Sequence, residues 1–152
     1  MHIFVDSSIN HQKNKAIGCY VIVNDLDTDL EKIQENIQFV TLESNSSTSA
    51  ELETIKYVIS SIESTGKHPI YLYTDCHCVV RLAYTKGYSQ QHKNKDIYEK
   101  LLYSIEKLNI TIIKLKGHIK KELQTDKKQQ IFSLVDKTAR KKVREISIYE
   151  NH

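Results

Sequence analysis

Four acidic residues stand where they could act together. Asp6 closes the apolar run Ile3-Phe4-Val5, Glu51 stands on the first turn of a helical pattern, Asp75 follows Ile70-Tyr71-Leu72-Tyr73-Thr74, and Asp136 lies inside a basic helical segment. Ionised carboxylates brought within a few ångströms repel one another. The repulsion is relieved by protonation or by hard divalent cations, which prefer oxygen ligands. Convergence of these four acids would therefore make a metal-dependent phosphoryl-transfer site. Taken singly, each acid has a structural explanation. Glu51, three residues after Thr48, fits a capping box, and the others fit strand-end or surface charges.

The elements that must position these acids are legible as periodicity. Residues 2–6, 17–23 and 37–42 are short and rich in β-branched and aromatic side chains, which predicts three strands; Ser7 to Lys15 reads as the turn between the first two, and Asn24 to Asp29 as an acidic connection. From Thr48, Leu52, Ile55, Val58, Ile59 and Ile62 recur at helical spacing, and Gly66 marks the expected helix end. Pro69 precedes a strand over 70–74. A helix through Val79, Val80, Leu82 and Ala83 to Gly87 follows, then one over 96–107, a strand over 110–115 ending at Gly117-His118, a polar loop over 119–131, and a last helix over 132–147 with Leu134, Val135, Ala139 and Val143 as its apolar stripe. The predicted order is βββαβααβα, an antiparallel meander followed by alternating helices and strands.

At 152 residues the chain reads as a single domain, 1–152, able to bury a core without staples. Its net charge of +3 hides an asymmetry: residues 1–66 hold four Lys against ten acids, and residues 111–152 hold eleven Lys or Arg against five. A basic end of this kind suits either a solvated helix or contact with a polyanion. Three cysteines, Cys19, Cys76 and Cys78, give no regular disulfide framework, so a reducing intracellular compartment, cytoplasm or nucleus, is expected. Asp6 interrupts the first apolar run too early for a secretory or spanning segment, and no membrane association is expected. Cys76-His77-Cys78 has no second cysteine pair and is a poor zinc signature.

Val5-Asp6-Ser7-Ser8, Ser47-Thr48-Ser49-Ala50-Glu51-Leu52, Tyr73-Thr74-Asp75-Cys76, Lys116-Gly117-His118 and Leu134-Val135-Asp136-Lys137-Thr138-Ala139-Arg140 follow one another in an order that resembles ribonuclease H of type 1. The resemblance spans about residues 2–147. It implies an α/β fold with a five-stranded mixed sheet in the order 3-2-1-4-5, strand 2 antiparallel to its neighbours and helices on both faces. It also implies two-metal-ion hydrolysis of the RNA strand of RNA/DNA hybrids, leaving 5′-phosphate and 3′-hydroxyl ends. Asp6, Glu51, Asp75 and Asp136 would hold two Mg2+ ions, with Mn2+ a plausible substitute, and His118 would join them as a catalytic residue. The enzyme would act as a monomer.

The chain departs from the family's pattern around this core. Ser7 and Ser8 replace the usual turn after the first acid, and Ser47 and Thr48 stand where asparagines often read 2′-hydroxyls. His77 occupies the place of a minor-groove contact. The segment after His118 is longer than usual, and residues 84–95 are too short for the long basic handle helix of some members. Lys86, Lys93 and Lys116, together with Ser7, Ser8, Ser47, Thr48 and His77, are the expected nucleic-acid contacts. Two other readings fit the same fold: a non-catalytic nucleic-acid-binding module, and a nuclease acting on another duplex or junction.

Overall fold

The computed structural model describes residues 1–44, 46–62, 69–124 and 126–149. The strands are β1 (His2–Asn10), β2 (Lys15–Val23), β3 (Gln38–Glu43), β4 (Ile70–Thr74) and β5 (Ile110–Lys114). The helices are α1 (Leu30–Glu35), α2 (Ser47–Ile62), α3 (His77–Thr85), α4 (Lys95–Lys107) and α5 (Lys127–Tyr149), with a 3-10 turn at Lys121–Leu123. One sheet runs β3-β2-β1-β4-β5. β2 is antiparallel to both neighbours, whereas β1, β4 and β5 are mutually parallel. The topology is the expected one.

Alternation along β1 divides its side chains between two apolar layers. Ile3 and Val5 join Leu72 against Leu52, Ile55 and Ile59 of α2, Val79 of α3 and Leu101 of α4. Phe4 joins Ile17, Cys19 and Tyr73 against Ile33 of α1 and Ile131, Phe132, Val135 and Ala139 of α5. Gly18 lets α2 lie close to β2, because a Cβ there would collide with the Thr54 side chain. Among the described residues no helix is long and apolar enough to cross a membrane.

Several boundaries differ from those expected. Ser7 to Asn10 belong to β1 rather than to a turn, because the hairpin with β2 continues to the pair Asn10↔Lys15. β1 pairs with β4 only from His2↔Tyr71 to Phe4↔Tyr73, so Asp6 stands just past the point where the two strands part rather than at a strand end. Helix α1 was unexpected: it is six residues long and buries only Ile33, too little for a periodic signal. Helix α3 stops at Thr85, and it is Lys86, not Gly87, that takes the left-handed cap at φ 53°. Helix α5 begins five residues early because Asp126 caps it, its Oδ1 accepting from the Lys128 N–H at 2.9 Å. Its buried stripe accordingly starts at Ile131 and Phe132, and Leu134 is only half-buried. The end expected at Gly66 lies outside the described residues.

Candidate active site

Side-chain parity at the exit of β1 aims two neighbours at opposite helices. Asp6, on the face of Phe4, turns toward α5 and lies beside Asp136, which helps to raise its pKa. Ser7, on the face of Val5, turns toward α2, and its hydroxyl donates to Glu51 Oε2 at 2.7 Å. Thr74, the last residue of β4, donates its hydroxyl to the other oxygen, Glu51 Oε1, at 3.2 Å. The Thr74 hydroxyl in turn accepts from the Cys76 N–H at 3.0 Å. Glu51 is thus held at both oxygens, by a residue of β1 past its pairing with β4 and by the last residue of β4. The capping-box alternative fails: Ser46 caps α2, its hydroxyl accepting from the Ser49 N–H at 3.3 Å.

Asp6, Glu51 and Asp75 each present an oxygen, and the three oxygens lie within 4.8 Å of one another. Asp6, Glu51 and Asp136 are buried, at 5%, 5% and 6% exposure. Gly117 packs flat against Asp75; a Cβ there would stand 2.5 Å from Asp75 Oδ2. His118, in the left-handed region at φ 57°, places Nδ1 3.5 Å from Asp136 Oδ2. Arg140 reaches the same oxygen at 3.2 Å, one helical turn along α5.

The electrostatics follow from this crowding. Burial, then the charges of Glu51 and Asp75, push the Asp6 carboxyl up to about 10. Burial likewise pushes Glu51 up to about 7, against the downward pull of the Ser7 hydroxyl. Asp75 is raised, first by burial and then by Asp136. A cluster of raised carboxyls with only oxygen donors fits hard divalent cations: they neutralise the mutual repulsion and take the ligand type the site offers. Thiolate chemistry does not fit, because burial pushes the Cys76 thiol up to about 12.

A cleft of about 450 Å3 opens over the acids. Of the expected nucleic-acid contacts, Ser7, Ser8, Ser47, Thr48 and His77 line it together with His118. Lys86, Lys93 and Lys116 are exposed and stand outside it. Arg140, from the basic end expected to meet a polyanion, also lines the cleft, as do Cys76 and Cys78, of which no contact was expected. Arg140 was legible in principle, since a cation four residues beyond an acid in a helix shares its face. Cys78 is partly buried and lies beside the Tyr98 hydroxyl.

A 3-2-1-4-5 mixed sheet with buried carboxylates where its central strands part is the arrangement of the ribonuclease H-like class. The RNase H family model matches residues 1–144, and the chain belongs to that family. Solved structures agree in fold. A ribonuclease H1 called LC11-RNase H1, in complex with an RNA/DNA hybrid, superposes with a TM-score of 0.62 at 12% identity, covering 76% of this chain and 85% of that one. Ribonuclease H1 of the halophilic archaeon Halobacterium salinarum gives 0.56 at 15% identity, with the same shares covered. The protease-reverse transcriptase of prototype foamy virus gives 0.68 at 18% identity, covering 93% of this chain but 20% of that much longer one. No curated protein matches the sequence.

Proposed function

We propose that this chain cuts the RNA strand of RNA/DNA hybrids endonucleolytically with two divalent ions, Mg2+ with Mn2+ as a substitute, leaving 5′-phosphate and 3′-hydroxyl ends. The observation that carries the reading is the convergence of Asp6, Glu51 and Asp75, with Asp136 beside Asp6, from four separate parts of the fold. Bound ions would supply positive charge to both the entering and the leaving oxygen of an in-line displacement at phosphorus. The ligands would be Asp6, Glu51, Asp75 and Asp136.

The chain's own residues supply alignment. Ser7 and Thr74 fix the plane of the Glu51 carboxylate from both sides, so this acid need not reorganise when charge arrives. Arg140 and His118 flank Asp136 on the cleft side, where His118 is placed to receive or give a proton. Ser8, Ser47, Thr48 and His77 offer short donors and acceptors suited to 2′-hydroxyls and sugar-phosphate oxygens. Outside the cleft, Lys86, Lys93 and Lys116 add sequence-independent attraction to phosphates. We assign the protein a monomeric state and a reducing intracellular compartment, the latter in keeping with its three free cysteines.

Labelled RNA/DNA, RNA/RNA and DNA/DNA duplexes, incubated with Mg2+, Mn2+ or EDTA, test the reading. The expected result is metal-dependent cutting of the RNA strand of the hybrid alone. Asp75→Asn should abolish cutting while leaving the fold and hybrid binding intact. Binding of the hybrid without cutting would instead make the chain a binding module, and cutting of DNA/DNA would make it a nuclease of another substrate.

A further inference from the structure

Gly117 and His118 form a two-residue step that must be placed closely. Gly117 touches Asp75, and His118 faces Asp136 from a backbone conformation that side chains rarely adopt. The step is bracketed by two carbonyls, and each accepts a hydrogen bond from a glutamine. On one side the Lys116 carbonyl accepts from Gln129 Nε2 at 2.8 Å. On the other, the Ile119 carbonyl accepts from Gln124 Nε2 at 2.7 Å.

Both glutamines are anchored to α5. Gln129 lies on its first turn. Gln124 is tied there twice: its Nε2 also reaches Ser133 Oγ at 3.1 Å, and its carbonyl accepts from Gln130 Nε2 at 3.0 Å. Between the two brackets the chain closes into the 3-10 turn, with Leu123 N–H on the Lys120 carbonyl at 2.9 Å and Gln124 N–H on the Lys121 carbonyl at 3.1 Å. α5 is the helix that carries Asp136. The glutamines therefore reference His118 to the same rigid element as its acidic partner, across a segment whose described residues form no strand or α-helix.

We propose that Gln124 and Gln129 are positioning residues, holding the Gly117–His118 step against Asp75 and Asp136; the kinetic half of this proposal rests on the nuclease reading, whereas the conformational half does not. A neutral side chain would bracket the loop without adding charge beside the acids. Glutamine, with two donors on a three-carbon reach, does this where a lysine would bring a cation next to the cleft.

The test pairs kinetics with backbone protection. Gln129→Ala and Gln124→Ala are made in the native chain and in His118→Ala, and hybrid cleavage is measured at saturating and limiting substrate. Expected is a fall in kcat of roughly five-fold per glutamine, the size of one lost neutral hydrogen bond, with KM unchanged. In the His118→Ala background the same substitutions should change kcat little, since nothing remains to be positioned. Gln129→Asn, neutral but one methylene short of the Lys116 carbonyl, should lose the rate as Gln129→Ala does, and Gln129→Lys should not restore it, because it sets a cation beside Asp136.

Equal losses in both backgrounds, or no loss in the native one, would overturn the proposal. So would a His118→Ala variant with native kcat. Amide hydrogen exchange at Leu123 and Gln124, whose N–H groups close the 3-10 turn of this loop, gives a readout independent of activity. It should accelerate in both alanine variants while α2 and β1 stay protected, and unchanged exchange at these amides sinks the proposal even if the chain cuts hybrids. Should an alanine variant fail to fold, Gln129→Asn asks the same question with less loss of packing. A native chain that cuts nothing, yet whose exchange responds as expected, would refute the nuclease reading and leave the bracket standing.

Discussion

Asp6→Asn should raise the stability of the metal-free protein while destroying its activity. In the folded chain the Asp6 carboxyl is raised from 3.8 to about 10, chiefly by burial. An acid whose folded pKa lies above its unfolded one favours the folded state most below the unfolded pKa, and that support drains away as pH rises toward the folded value. At pH 8 the folded protein must keep a proton that the unfolded chain has released across about four pH units, a ceiling of ~6 kcal/mol at ~1.4 kcal/mol per unit. Asparagine needs no proton, and its Oδ1 can still accept from the Ser7 N–H, as Asp6 does at 2.9 Å. Its amide NH2 is buried beside acids that only partly satisfy it, which costs about 1–3 kcal/mol.

The net gain expected at pH 8 is about 3 kcal/mol, or on the order of 5–10 °C in Tm for a chain of this size. At pH 5 the span is about one unit, and the gain should vanish into the amide's cost. The assay is thermal unfolding of both proteins in EDTA at pH 5 and pH 8, repeated with Mg2+ at pH 8. Wild type should lose stability between the two pH values more steeply than the variant, and Mg2+ should raise wild type far more than Asp6→Asn. A variant that melts at or below wild type in EDTA at pH 8 would refute the argument that repulsion and burial are stored in this cluster.

Gly117→Ala should cost activity more than stability: the added methyl stands 2.5 Å from Asp75 Oδ2 and must displace that acid, so hybrid cleavage should fall at least ten-fold with little change in Tm. Gly18→Ala should do the reverse. Its methyl meets Thr54 between α2 and β2, away from the cleft, and should destabilise the fold by about 1–3 kcal/mol in a urea melt. Hybrid affinity measured with Asp75→Asn should drop steeply between 50 and 200 mM salt, by roughly a hundred-fold or more, if phosphate contacts dominate binding.

The acids were legible because their neighbours were. Val5 and Thr74 read as strand, Leu52 reads as helix, and order along the chain brought Asp6, Glu51 and Asp75 to one end of the sheet. What orients Glu51 was not legible, since Ser7 and Thr74 look like any hydroxyls until parity and strand pairing put both against one carboxylate. Helix α1 left too weak a pattern with one buried residue. The run from Asp126 to Gln130 looks like loop because its five polar residues open a helix whose buried apolar face begins only at Ile131. Lys86, Lys93 and Lys116 carry charge but lie outside the cleft: charge alone does not say whether a side chain reaches it.

The two apolar layers meet only through the sheet, yet the cluster draws on both. Glu51 comes from the α2 layer and Asp136 from the α5 layer, with Asp6 and Asp75 between them on the strands. A shift of either layer by a fraction of an ångström therefore changes the spacing of like charges at the sheet's end. The cleft works as a strain gauge for the whole sandwich: a substitution deep under α5, such as at Phe132, will be read first as altered ion affinity, before any loss of folded protein is seen.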